Sequence, residues 1–151
     1  MTVVIQRVNK AAVEVDGKTV GRVGKGLMLL VGVKAGDTED DVRAVCAKIA
    51  KLRIFEDGEG KMNLSVTDIG GGALAVSNFT LLANYSHGNR PDFFSAEKPE
   101  RAHELFGLFT RTLSSLIPGG VETGVFGADM TLDIENDGPV TIVMDSEKLK
   151  K

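Results

Sequence analysis

From Leu27 to Val33 the chain reads Leu-Met-Leu-Leu-Val-Gly-Val, apolar at successive positions. A strand with one wet face alternates, so a run of this kind has to be covered on both faces. It is also far too short to cross a bilayer, which takes about 20 residues as a helix. The cover must come from the rest of the protein, and the run is the expected central strand. With 151 residues and 42% hydrophobic content, the chain can fill one core well and is short for two. We expect a single domain over residues 1–151, with the lysine-rich end at 145–151 fraying.

Val3 to Val8 and Ala12 to Val15 read as strands, and Asp16-Gly17 is the dipeptide that a type I′ hairpin favours. Gly24-Lys25-Gly26 opens a strand, not a helix, so it is no dinucleotide loop. Asp37 or Thr38 can cap a helix whose first turn, Glu39-Asp40-Asp41, suits the positive end of the helix dipole better than a metal site. Val42, Val45, Cys46, Ile49 and Leu52 form its apolar face. A short strand at Arg53 to Phe55 and a loop from Glu56 to Lys61 follow. Ala73 to Leu81 reads as a strand that starts apolar and turns polar at Ser77, Asn78 and Thr80, where a rigid element can carry a site.

The irregular stretch from Leu82 to Lys98 is long for a compact domain, which marks it as functional or mobile. Pro99 suits the first turn of a second helix, with Ala102, Leu105, Phe106, Phe109, Leu113 and Leu116 as its buried stripe. Strands return at Val121 to Val125, Met130 to Ile134 and Val140 to Met144. Between the last two, Asn136-Asp137-Gly138-Pro139 has the local pattern of a hairpin turn. Gly138-Pro139 brings backbone rather than side chain to the surface, so a carbonyl pair can be aimed at a ligand there. The order of elements gives an α+β fold: mostly antiparallel sheets in a barrel-like arrangement with two main helices packed outside.

The N-terminus lacks the basic, apolar and small-residue regions of a secretory signal, so a cytoplasmic protein with no membrane association is expected. Three Asn-x-Ser/Thr matches, at Asn63, Asn78 and Asn84, then carry no glycosylation meaning. The lone cysteine, Cys46, can form no intrachain disulfide and reads as core filler. A formal charge of −3 argues against coating nucleic acid through a global basic field. Residues 1–34 nonetheless hold six basic groups against two acidic ones, so a few phosphates could be held there, or these are solvated hairpin charges.

Conventional catalytic equipment is scarce. The two histidines are His87, in the irregular stretch, and His103, in the first turn of the second helix, where packing or surface exposure is its expected role. There is no G-x-S-x-G elbow, no H-E-x-x-H, no cysteine pair and no Walker loop. Ser77 and Thr80 are hydroxyls without an evident base. An enzyme built this way positions a reactive substrate more than it supplies chemistry.

Ser77-Asn78-Phe79-Thr80-Leu81 and Asn136-Asp137-Gly138-Pro139-Val140-Thr141 resemble the two signature motifs of the D-aminoacyl-tRNA deacylases, the D-tyrosyl-tRNA deacylase family. The resemblance extends through Ile5-Gln6-Arg7-Val8, Lys61-Met62-Asn63-Leu64, Gly88-Asn89-Arg90-Pro91 with Phe93, and Ala128-Asp129-Met130. Each fragment is weak alone, and together in this order they are highly specific. One position departs: the first motif usually reads Ser-Gln-Phe-Thr, and Asn78 is one methylene shorter.

The resemblance implies hydrolysis of the ester of D-aminoacyl-tRNA, with the tRNA 3′ end as partner and no metal or cofactor. It implies a homodimer in which Gly138-Pro139 is cis and enters the partner's pocket beside Ser77, Asn78, Phe79 and Thr80. Asn136, Val140 and Thr141 complete that motif on the substrate side. The backbone amides around Phe79 and Thr80 become candidates for holding the ester carbonyl oxygen. Phe79 reads equally as core, facing the same side as Ser77 by alternation. Arg7 either braces the Gly-Pro loop or contacts a surface phosphate. Met130 packs under the pocket or belongs to the core. The alternative to an enzyme is a non-catalytic nucleic-acid-binding dimer.

Overall fold

The computed structural model describes residues 1–150, so the fraying expected at Lys151 lies outside the described residues. The chain opens with β1 (Thr2–Val15), one 14-residue strand where the sequence suggests two. Val3 and Ile5 face one core, whereas Val8, Ala11 and Val13 face another. Register shifts on either side of Val8 accomplish that change of face. Asp16 and Gly17, both at positive φ as a type I′ turn requires, lead into β2 (Lys18–Val23).

β3 (Gly26–Gly32) pairs antiparallel with β1. Leu27, Leu29 and Val31 belong to the first core and Met28 to the second, which is why the run has no polar position. Thr38 caps α1 (Glu39–Lys51) in a reciprocal box with Asp41. Burial pushes the Asp41 carboxyl up, but hydrogen bonds from Thr38 and the Lys150 ammonium outweigh it and hold the group below its usual range. A separate hairpin joins β4 (Phe55–Glu56) to β5 (Met62–Leu64).

β6 (Gly72–Ser77) lies parallel to β3 and also divides its residues between the two cores. It ends at Ser77, four residues earlier than its apolar pattern suggests, because Asn78 caps a 3-10 turn over Phe79–Leu82. α2 (Pro99–Leu116) begins with Pro99 in its first turn. Its stripe ends on Ile117, 1% exposed, and not on Leu116, 41% exposed. The backbone turns extended at Ile117, which swings that side chain back under the helix.

β7 (Val121–Thr123) runs parallel to β6, and β8 (Thr131–Asp145) runs antiparallel along β1. The main sheet has the order β2-β1-β3-β6-β7, with β8 on β1. The two parallel pairings follow from the helices, since α1 and α2 lie on the crossovers that return the chain in the same direction. The Arg22 N–H donates to the Glu122 carboxylate at 3.0 Å, linking β2 to β7 so that the sheet nearly closes. The result is a single-domain, barrel-like mixed sheet with one core under the helices and one within the barrel.

Cys46 sits in the first core, donates to the Phe109 carbonyl at 3.4 Å, and has its thiol pushed by burial up to about 12. That is filler, not a nucleophile. The tail makes contacts with the rest of the fold as far as Lys150. Ser146 opens a 3-10 turn, its hydroxyl accepts from the Met1 ammonium at 2.8 Å, and the Lys150 ammonium lies 3.4 Å from Asp41. Among the described residues no helix is long and apolar enough to cross a membrane.

Candidate active site

Asn136 to Thr141 is not a hairpin turn. It lies inside β8, and β1 explains its shape: Gln6 pairs with Thr141 and Val8 with Asn136. Four residues of β8 therefore stand opposite the single residue Arg7, and they bulge out of the ladder. Asn136 closes the base of this loop, its amide oxygen accepting from the Val140 N–H at 3.1 Å and its amide nitrogen donating to the Val140 carbonyl at 3.4 Å. Gln6 donates to the Thr141 hydroxyl at 3.3 Å, and Val140 is buried beneath.

Arg7 is only 6% exposed, so no surface phosphate can reach it. Its Nε donates to the Asp137 carbonyl at 3.0 Å and lies 3.2 Å from the Asp137 carboxylate, while Nη1 donates to the Ile54 carbonyl at 2.9 Å. With its base tied in this way, the loop presents Gly138 and Pro139, both exposed and joined by a cis bond. Neither residue has a partner on β1, and among the described residues no side chain donates to the Gly138 or Pro139 carbonyl.

The other motif opens onto a cleft of about 1000 Å³ at one end of the barrel. Ser77, Asn78, Phe79 and Thr80 form one side, Phe93, Phe94 and Ala96 to Pro99 another, and Phe126 to Met130 a third. Ser77 is half-buried at the end of β6. Asn78 is held to the sheet by its N–H, which donates to the Val31 carbonyl at 2.8 Å. Its side-chain oxygen turns back to accept from the Thr80 N–H at 3.2 Å and from the Thr80 hydroxyl. The shortened side chain thus acts as a cap and does not reach across the cleft.

This corrects two expectations. The Thr80 amide is already occupied, so of the two amides only that of Phe79 is free of a protein acceptor among the described residues. Phe79 has also left the strand alternation: it is 57% exposed and meets Phe93 edge to face at 5.1 Å. Met130 lies just before β8 and serves both roles read from the sequence, packing on the barrel core and lining the cleft.

The ionisable side chains lining the cleft are Glu97, Lys98 and Asp129. Hydrogen bonds from the Lys98 and Gly36 N–H groups hold the Glu97 carboxyl below its usual range, which makes it a weak base. Neither histidine lines the cleft. His103 stacks on Phe126 at 4.5 Å, the packing role expected of it. Among the described residues no cluster of three or more potential metal ligands exists.

The sequence reading missed Phe94, Glu97, Phe126 and Gly127 as cleft residues. They come from two connections without periodicity, and only a fragment such as Ala128-Asp129-Met130 could have pointed to them. The two motifs also do not meet within one chain, for Gly138 and Pro139 are absent from the cleft wall formed by Ser77 to Thr80.

The family described as D-Tyr-tRNA(Tyr) deacylase matches residues 4–145. A D-aminoacyl-tRNA deacylase of Persephonella marina is 58% identical over 149 residues, 99% of this chain and 100% of its own. Another, of Akkermansia muciniphila, is 55% identical over 148 residues, 98% of this chain and 99% of its own. A solved structure described as c-Myc DNA Unwinding Element Binding Protein superposes with a TM-score of 0.91 at 39% identity, covering 96% of this chain and 98% of its own. A probable eukaryotic D-amino acid tRNA deacylase superposes at 0.82 with 19% identity over 95% and 99%, which shows a shared fold. On a match that spans nearly its whole length, this chain belongs to the D-aminoacyl-tRNA deacylase family.

Proposed function

We propose that two copies of the chain form a homodimer in which the Gly138-Pro139 loop of each closes the other's cleft and tests the chirality of a D-aminoacyl-tRNA ester. The protein is a hydrolase of D-aminoacyl-tRNA, as its family membership establishes. The observation that carries the finer reading is the separation of the motifs. A loop tied at its base by Arg7 and Asn136 holds Gly138 and Pro139 exposed and out of the ladder with β1, while the cleft that would use their carbonyls stands open elsewhere on the same chain.

A wall of main-chain carbonyls discriminates by shape. Once the α-amino and ester groups are seated, D and L residues exchange the positions of hydrogen and side chain. A wall that leaves room only for hydrogen admits the D form, whatever its side chain, and rejects the L form. Glycine has no side chain to reject, so glycyl-tRNA is hydrolysed as well.

The chemistry then rests on the substrate. Water adds to the ester carbonyl, the Phe79 N–H receives the developing oxyanion, and the ester C–O bond breaks as a proton passes to the departing ribose oxygen. The neighbouring ribose hydroxyl orients the water, and the Thr80 hydroxyl positions that water or the ribose. A weakly basic Glu97 and the lack of a histidine in the cleft support this division of labour.

Mixed dimers test the crossing of the loop. One parent carries Gly138→Ala, which spoils the loop; the other carries Ala128→Trp, which plugs the cleft. Each parent alone is expected to hydrolyse D-tyrosyl-tRNA at a rate lowered by about 100-fold or more, and the mixture to regain activity, because the open cleft of the first receives the sound loop of the second. No recovery in verified heterodimers would mean that the loop does not act on the partner.

A further inference from the structure

The irregular stretch before α2 is more ordered than its sequence suggests, and the cleft uses only one end of it. Asn84 and Asp92 form an antiparallel bridge, with the Asn84 N–H donating to the Asp92 carbonyl at 2.8 Å and the reverse bond at 2.9 Å. The Asn84 side chain donates to the Asp92 carboxylate at 3.3 Å and accepts from the Ser86 N–H at 3.2 Å and the Ser86 hydroxyl at 2.8 Å. The Asp92 carboxylate also accepts from the Phe94 N–H at 3.3 Å. The loop is thus pinned at its base, and its tip, Ser86 to Arg90, is exposed.

Two aromatic rings flank that base without any packing role of their own. Tyr85 is 77% exposed and Phe94 is 89% exposed. Among the described residues neither takes part in a ring pair, unlike Phe79, Phe93, Phe106, Phe109 and Phe126. Leaving aromatic faces in water gives up their burial energy, and a pinned frame that holds them there suits a ligand with flat faces. Phe94 lines the rim of the cleft, and Tyr85 lies beyond it, outside the cleft wall. Arg90 extends the same loop with a fixed positive charge, and Lys98 adds another at the cleft edge.

Exposed aromatic faces interleaved with cations, leading away from a cleft that takes the last nucleotide, have the chemistry of a single-stranded nucleic-acid track. We propose that the pinned loop from Asn84 to Phe94 holds the unpaired RNA nucleotides just upstream of the aminoacylated one. Tyr85 and Phe94 stack their bases, and Arg90 contacts a phosphate. This rests on the deacylase reading above and extends it from the ester to the strand that carries it. It also accounts for a chain of net charge −3 that binds an RNA: stacking needs no global basic field, and a single local cation can supply the phosphate contact.

The test compares two substrates that share the ester and differ in the strand: D-tyrosyl-tRNA and D-tyrosyl-adenosine, which has no upstream nucleotide. Tyr85→Ala should lower kcat/KM on D-tyrosyl-tRNA by about tenfold, mainly through KM, as expected for one lost base–aromatic stack. The rate on D-tyrosyl-adenosine should not change, and Tyr85→Phe, which keeps the ring, should restore the tRNA rate. Arg90→Gln should reduce the slope of log kcat/KM against log salt on the tRNA by about 0.7, the value for one single-strand phosphate. An equal loss on both substrates, or none on either, overturns the proposal. If the wild-type protein hydrolysed neither substrate, the deacylase reading itself would fail first, whereas activity on both with no effect of Tyr85→Ala would remove only the strand contact.

Discussion

Gly138→Ala is expected to lower the rate of D-tyrosyl-tRNA hydrolysis by about 100-fold, the effect of displacing a positioning group by roughly 1 Å. Gly138 has φ of +145°, where an L side chain is strained, and a Cβ there would lie 2.7 Å from the Val140 nitrogen and 2.8 Å from Val140 Cγ2. The Val140 backbone cannot yield cheaply, because its N–H is held by Asn136 and its side chain is buried. The loop must therefore move as a unit, and the Gly138 and Pro139 carbonyls move with it. The strain of about 1–3 kcal/mol stays local to an exposed bulge, so the variant should remain folded with a melting temperature lower by roughly 2–12 °C. Single-turnover rates on the D ester, with a thermal melt, check both halves. A folded variant with the wild-type rate would separate the loop from catalysis.

Arg7→Ala should have the larger effect on stability. It removes the donors from the buried Ile54 carbonyl and from the Asp137 carbonyl at the base of the loop, leaving two acceptors unpaired, and it empties a buried volume. Each unpaired acceptor costs about 1–3 kcal/mol. A total near 3 kcal/mol corresponds to a fall of roughly 6–12 °C in melting temperature for a chain of this length. Asp137→Ala provides the contrast, since its carboxylate is 38% exposed and the ion pair is worth under about 1 kcal/mol. Similar losses for the two variants would mean that the carboxylate, not the carbonyls, is what Arg7 holds. Activity should fall in Arg7→Ala even well below its melting point, because the loop loses the bond that fixes its exit from the strand.

Elements specified by near neighbours were legible in the sequence. Asp16-Gly17 turned as its dipeptide chemistry demands, Thr38 and Asp41 closed a capping box, and Pro99 opened α2. The unbroken apolar run at Leu27 to Val33 correctly announced a strand with a core on each face. Distant partners decided what was missed. Asn136 to Thr141 has every local mark of a hairpin turn, yet it is a bulge, because Gln6 and Val8, far away in the sequence, impose the register. Ala73 to Leu81 looks like one strand until Asn78 turns its side chain onto Thr80 and starts a 3-10 turn. The motif residues stand out in the sequence only through whole-chain resemblance. Carbonyls do the work proposed for Gly138 and Pro139, and no side-chain pattern records them.

Discrimination at the α-carbon is measured directly by the first-order loss of ester from D- and L-tyrosyl-tRNA, prepared on the same tRNA and incubated with the purified protein. The D ester should disappear at a protein-dependent rate while the L ester decays no faster than it does without protein. Equal rates on the two would contradict the chiral wall, and no loss of either would leave the non-catalytic nucleic-acid-binding dimer in its place.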